Sequence, residues 1–219
     1  MEKINERNNF LYLTVALLVL LLALPLLQTF QVGMVHWITQ ALIFLTLLVT
    51  YASLNFGRWW RGFVGLILLL MVCSTLLREF GTLHSSGLIH LFLVLVFFSS
   101  VCYAAGRRVL LSGDIDSNKI IGGIAVYLLL GLLWSMLYLI TIELLPGAFD
   151  GIVAGAWEDN FFDAVYFSFV TLTTLGYGDI TPTQPLSKAL AYLQAITGTF
   201  YMAVVVASLI GARFRSGNA

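Results

Sequence analysis

The chain has 219 residues, of which 60% are hydrophobic and only 10% charged, and its eleven basic and eleven acidic residues cancel to a formal net charge of zero. A soluble domain carries roughly a quarter charged residues, so the composition excludes an ordinary water-soluble protein. The mean hydropathy of +0.96 points to an integral membrane protein.

The apolar residues gather in blocks near the ~20 residues that a helix needs to cross a bilayer. Six spans are expected in chain order: Phe10–Leu27, Met34–Leu54, Phe63–Leu77, Leu88–Ala105, Ile120–Leu144 and Leu186–Ala212. Helices are the only sensible choice, because lipid offers backbone groups no partners and the blocks lack the alternation of a barrel strand. Lys3 and Arg7 ahead of the first block give it a superficial likeness to a signal peptide. The run is long and no A-x-A-like site follows, so an uncleaved first span is expected.

Cys73 and Cys102 lie toward opposite ends of neighbouring spans. At a rise of ~1.5 Å per residue they differ in depth by more than about 10 Å, too far for a disulfide, and both read as packing residues. His36, His84 and His90 all fall near one face, at a span start, in a loop and at another span start. They are either interfacial residues or a proton or metal sensor. The fourth span, "LIHLFLVLVFFSSVCYAA", holds no arginine or lysine, and Arg107 and Arg108 follow it as interfacial anchors. "DIDSN" at Asp114–Asn118 has the opening rhythm of a calcium loop but fails, with Lys119 where glycine is needed and Ala125 where the bidentate glutamate belongs. It reads as a polar connector capping the fifth helix.

Positive residues set the expected orientation. With the N-terminus inside, nine basic and four acidic residues face the cytoplasm, against two and seven outside, a balance of +5 against −5. Both termini are then cytoplasmic, and five of the seven outer acids lie between Asp150 and Asp179. An acidic outer face concentrates cations near it. Short loops and the absence of an N-x-S/T sequon suit a bacterial inner membrane.

Between the last two spans, Asn160–Thr174 is apolar but too short to cross, which suggests a re-entrant helix. "FSFVTLTTLGYGDITP", Phe167–Pro182, continues from it with Gly176 and Gly178 around Tyr177. Non-helical backbone at membrane depth is tolerated only where protein buries it or a water-filled path runs along it. Glycine opens backbone conformations closed to other residues, so that successive carbonyls can point to one side.

"TLGYGD" at Thr174–Asp179 resembles the signature of the potassium channel superfamily, in whose filter backbone carbonyls take the place of the hydration shell of K⁺. The resemblance is specific from about Ile120 onward. It implies an all-α membrane protein, six transmembrane helices plus a re-entrant pore helix and selectivity filter, assembled as a homotetramer. Residues 1–106 would form a four-helix transmembrane domain lacking voltage-sensor charges, 107–119 a cytoplasmic connector and 120–219 the pore domain. Dehydrated K⁺ would be held by the carbonyls of Thr174, Leu175, Gly176 and Tyr177 and by the Thr174 hydroxyl, with Gly178 completing the filter. Leu175 stands where the family usually has Val or Ile, which affects packing behind the filter. Thr173 ends the pore helix, whose negative end would aim at the ion path, and Asp163 suits its first turn.

Val170 occupies the position where the family often has an acid behind the filter, so it cannot hold Asp179. Tyr166 stands where many relatives have a tryptophan that bonds that aspartate, and takes over the role. Gly198 resembles an inner-helix hinge, with close helix packing an equal alternative. Thr199, Met202, Val206 and Ile210 share one helical face as a candidate cavity lining. The chain ends soon after Arg215, which leaves no room for a soluble regulatory domain.

Passive K⁺ conduction without steep voltage gating is therefore expected, through a membrane-embedded protein with K⁺ as permeant ion, no cofactor and no nucleic-acid partner. The alternatives are a weakly selective cation channel, a subunit of an active K⁺ uptake transporter, and a non-conducting interaction subunit. No His/Cys/carboxylate cluster has catalytic or ligand spacing, so an enzyme is not expected.

Overall fold

The computed structural model of the chain describes residues 9–29, 35–53, 58–79, 86–111, 117–153, 155–208 and 211. Its helices are α1 (Asn9–Thr29), α2 (Val35–Ser53), α3 (Arg58–Glu79), α4 (Ser86–Leu111), α5 (Ser117–Leu144), α6 (Phe161–Leu172) and α7 (Pro185–Phe200). A π-helical segment, Tyr201–Val206, follows α7, and two short strands, β1 (Phe149–Asp150) and β2 (Thr181–Pro182), flank α6. Among the described residues, Gly87–Val109, Asn118–Leu144 and Pro185–Val206 are long and apolar enough to cross a membrane, while Phe10–Ala23 and Gly62–Leu76 are shorter apolar helices.

Each expected span falls on a helix, with corrections at the ends. α3 begins at Arg58 rather than Phe63, and α4 runs on to Leu111, taking Arg107 and Arg108 into the helix instead of leaving them after it. Cations near a helix C-terminus meet the negative end of its dipole, which favours that extension. The last expected span is not one continuous α-helix, since i→i+5 winding replaces α-helical winding from Tyr201. Asp114 and Asp116 lie outside the described residues, as do Lys3, Arg7, Arg213 and Arg215. Cys73 and Cys102 are both free, and Cys73 is exposed rather than a packing residue.

The chain forms two compact units, one of residues 1–62, 100–129 and 201–219 and the other of residues 63–99 and 130–200. In the first, α1 and α2 pack together, with Leu13, Leu17 and Leu20 buried at helical spacing on α1 and Leu47 buried on α2. The opposite side of α1 is equally apolar, with Leu11, Val15, Leu18 and Leu22 exposed. A helix that is hydrophobic all round suits burial in lipid or in a larger core. The α5 backbone comes close to its neighbours at Gly122, where a Cβ would lie 2.7 Å from Val109 and 3.0 Å from Phe10. The Tyr201 hydroxyl donates to the Gly123 carbonyl, joining the π segment to α5.

The second unit holds the candidate site. Its core contains Met71, Leu91, Phe97, Leu132 and Leu139, all essentially buried. Tyr138 of α5, Phe149 of β1 and Phe167 of α6 form an edge-to-face triad with ring centroids 4.9 to 5.5 Å apart. Such geometry matches the aromatic quadrupoles and adds to the area each ring buries. β1 and β2 pair antiparallel, Phe149 opposite Pro182 and Asp150 opposite Thr181. Ser187, in the first turn of α7, donates to the Ala148 carbonyl at 2.7 Å, tying the strand pair to the helix that follows it.

Candidate functional site

α6 is the short helix of the site. Twelve residues give it a length of about 18 Å. Phe161, Ala164, Val165, Ser168 and Leu172 bury one side of it. Asp163 lies in the first turn, where the dipole suits a carboxylate. Partial burial works against that charge and raises its pKa.

The end of α6 is built from the main chain. Thr173 caps the helix, and the Thr174 N–H donates to the Thr171 carbonyl at 3.0 Å while the Leu175 N–H reaches back to the Val170 carbonyl at 2.9 Å. These two bonds are a Schellman motif, which needs a left-handed residue at Thr174. Thr174 has φ +59 and is the only non-glycine residue with positive φ among those described. Glycine is the usual occupant of that position, because a β-branched side chain is strained there. The Gly176 N–H also points to the Val170 carbonyl, at 3.3 Å. Val170 thus anchors the next segment through its backbone, a role its side chain does not announce.

From Thr174 to Gly178 the backbone alternates in hand: φ is +59 at Thr174, +57 at Gly176 and +84 at Gly178, and negative at Leu175 and Tyr177. Alternation of right- and left-handed residues turns successive N–H groups to one side of the chain. Residues 173–179 are all exposed, including the large side chains of Leu175 and Tyr177. The Thr173 hydroxyl is occupied by the Phe169 carbonyl at 2.7 Å, whereas the Thr174 side chain is exposed.

Beyond Gly178, the Tyr166 hydroxyl donates to Asp179 Oδ2 at 2.6 Å. The bond pushes the tyrosine pKa up to about 12 and holds the Asp179 carboxyl below its ordinary value. Gly151, at φ +84, backs onto the same residue: a Cβ there would lie 2.3 Å from the Asp179 carbonyl oxygen.

Behind α6 lies a buried polar chain. The Tyr138 hydroxyl donates to Gln194 Oε1, and Gln194 Nε2 donates to the Ser168 carbonyl at 3.0 Å and to Ser168 Oγ at 2.7 Å. Ser168 Oγ in turn donates to the Gly131 carbonyl at 2.6 Å, an acceptor shared with Ser135 at 2.8 Å. Gly131 also admits the Phe169 ring, since a Cβ would sit 2.4 Å from its Cζ. Gln194, Gly131 and Gly151 carry no motif. The one available signal is for Gln194, the sole amide side chain in a largely apolar span.

Gly198 packs against the end of α6, with a Cβ position 2.0 Å from the Leu172 carbonyl oxygen. That contact supports the close-packing reading of this glycine, and the departure from α-helical winding comes three residues later. Thr199 and Met202 are exposed and Val206 is half-buried. Because winding changes at Tyr201, the 3.6-residue face does not carry from Thr199 to Val206. Ile210 lies outside the described residues.

His90 is not at a solvent interface. It is buried, its Nδ1 lies 3.0 Å from Ser74 Oγ, and its ring stacks on Trp157 at 5.3 Å. His84 and the His36 side chain lie outside the described residues. Among the described residues no group of His, Cys, Asp and Glu could hold a metal ion.

Residues 122–214 match a family model described as "Ion channel". The chain is 41% identical over 81 residues to the inward rectifier potassium channel Kirbac3.1 of Paramagnetospirillum magnetotacticum, covering 36% of this chain and 27% of that protein. It is 39% identical over 51 residues to a hyperpolarization-activated voltage-gated potassium channel of Methanocaldococcus jannaschii, 23% of each chain. It is also 41% identical over 49 residues to two-pore potassium channel 4 of Arabidopsis thaliana, 22% of this chain and 17% of that one. The matched stretches thus span 17 to 27% of the length of these relatives. No solved structure matches the chain.

Proposed function

We propose that the chain is a member of the potassium channel superfamily, which residues 122–214 resemble, and that it conducts K⁺ passively and selectively across a membrane through a filter formed by Thr174–Gly178. The observation that carries this reading is the alternation of φ along Thr174–Gly178, held at its start by the Val170 carbonyl and at its end by Tyr166 and Gly151. A fixed row of carbonyls can replace the hydration shell of a cation without reorganising. The family's ion comes to this chain from the names of its relatives, all potassium channels.

One such row makes only one side of a pore. Four copies close the ring, and the exposure of Leu175, Tyr177, Tyr192, Ile196 and Phe200 in a single chain is consistent with cover by neighbouring copies. The C-terminus of α6 directs the negative end of its dipole toward the start of the filter, where a cation is stabilised. In this reading the six apolar blocks all cross an inner membrane, both termini are cytoplasmic, and residues 1–106 contribute no voltage-sensing ladder. Purified protein in liposomes should pass K⁺ far faster than Na⁺ under matched gradients. Equal K⁺ and Na⁺ flux would favour a weakly selective cation channel instead.

A further inference from the structure

We propose that Gln194 is a positioning residue for the filter, holding α6 in the direction that aims Thr174–Gly178 at the ion path. The inference rests on the reading of that segment as the filter. Gln194, Ser168, Tyr138 and Ser135 are all completely buried. An apolar side chain would suit such a site at no polar cost, whereas a buried amide costs free energy unless its groups are paired. Here the pairing is full: both Nε2 protons go to Ser168 of α6, and Oε1 takes the Tyr138 hydroxyl of α5.

The placement of the contact gives it a role. Ser168 lies two residues before Val170, whose carbonyl holds the Leu175 and Gly176 N–H groups. One turn further along both helices, Leu172 of α6 meets Gly198 of α7. Ser168 and Leu172 are four residues apart, as are Gln194 and Gly198, so α6 is fastened to α7 at two points one turn apart. A single contact would let α6 pivot, and two fix its direction. The Gly198 contact is mere closeness of backbone, while the Gln194 contact has donors and acceptors that tolerate only one orientation. Ser168 relays the constraint to the Gly131 carbonyl of α5, so three helices share one register at this level.

Three substitutions separate positioning from simple packing. Gln194→Glu keeps the size but leaves at most one donor where two are needed, so one of the two Ser168 acceptors loses its partner. Gln194→Leu removes every polar contact, and Tyr138→Phe removes one bond. With full-length protein in liposomes, we expect the K⁺/Na⁺ flux ratio to fall by about tenfold in the two Gln194 variants, the loss associated with orphaned buried partners. Tyr138→Phe should fall between them and the parent. A role in packing alone would lower protein yield and thermal stability and leave the ion ratio of the surviving channels unchanged. Gln194 variants that elute as the parent does and keep its flux ratio would overturn the inference while leaving the filter reading intact. If they do not fold, Tyr138→Phe and Ser168→Ala decide, and the parent ratio in both would overturn it. A parent protein that fails to prefer K⁺ would instead overturn the filter reading, and this inference with it.

Discussion

The Tyr166 hydroxyl and the Asp179 carboxylate, thirteen residues apart, meet at 2.6 Å just past the end of the proposed filter. One partner belongs to the rigid α6 and the other to the loop that leaves Gly178. The bond therefore closes a ring of main chain that contains all of Thr174–Gly178.

Opening that ring should loosen the filter without changing its chemistry. Tyr166→Phe is expected to conduct K⁺ with nearly the parent selectivity, and to lose current faster during sustained opening. Single-channel recording in symmetric K⁺ measures the decay, and a decay equal to the parent's would mean that the bond does not restrain the filter.

The same bond has a defined pH window. Hydrogen bonding to Tyr166 lowers the Asp179 pKa below its ordinary 3.8, so the charged form is the favoured one. The stabilisation is present above that ordinary value and is lost as pH falls through the lowered folded value. Acidifying the Asp179 side from about pH 8 to about pH 5 should leave the decay rate unchanged, and acceleration should begin only below pH 3.8. Tyr166→Phe should show no further acceleration there. A parent decay that quickens between about pH 7 and pH 5 would assign the response to some other group.

Gly176→Ala and Gly178→Ala should each abolish selective K⁺ flux. Open space surrounds both Cβ positions in a single chain, so crowding within the protomer is not the cause. The cause is the left-handed backbone, at φ +57 and +84, which costs an L-residue with a side chain about 1–2 kcal/mol. That cost is relieved by rotating the peptide planes, which breaks the alternation. Either variant, folded and retaining the parent K⁺/Na⁺ flux ratio, would remove Thr174–Gly178 as the source of selectivity.

Much of this site is legible in the sequence, for reasons that can be named. The apolar blocks betray helices by length alone, and glycines flanking Tyr177 announce unusual backbone where lipid would forbid it. Tyr166 is legible only through the resemblance, standing where many relatives have a tryptophan that bonds the aspartate. The Schellman bonds to Val170 are not legible, because they join main-chain atoms, and neither are the Gly151 contact and the Gly131 carbonyl, because their partners, Asp179 and Ser168, are distant in sequence and nothing local pairs them. The β1–β2 pair has two residues per strand, too few for an alternation to register. The π segment, YMAVVV, differs from its α-helical neighbours in winding and not in composition. His90 reads as interfacial when depth is counted along one helix, whereas Trp157, which covers it, comes from a distant loop.

Gly198→Ala tests whether the close approach of α7 to α6 matters. The new methyl would fall 2.0 Å from the Leu172 carbonyl oxygen, and a backbone atom cannot swing away. Overpacking of this kind typically costs about 1–3 kcal/mol. We expect a lower thermal midpoint and no rescue by Leu172→Ala, which leaves the offending oxygen in place. A variant as stable as the parent would show that the two helices separate easily at this point.

Open probability should depend weakly on voltage. A charge moved through the whole field gains ~2.3 kcal/mol per 100 mV, so steep gating needs several mobile charges per subunit. α4 carries Arg107 and Arg108 only near its C-terminal end, with none along Ser86–Gly106. The measurement is the slope of open probability against voltage in symmetric K⁺. A steep slope that survives a change of permeant ion would place a sensor within residues 1–106.

Thr174–Gly178 and the α6 helix before it meet their neighbours largely at carbonyl oxygens: those of Val170 at the start of the segment, Asp179 at Gly151, Leu172 at Gly198 and Gly131 at Ser168. Side-chain truncation leaves a carbonyl untouched, so an alanine scan would register Val170 and Leu172 only through their buried side chains. Bulk added at the glycines of these contacts has no such tolerance. The mutational profile of this region is therefore lopsided, blind to the accepting oxygens where side chains are truncated and severe at two glycines outside the signature, Gly151 and Gly198, where a single methyl would collide with a backbone oxygen.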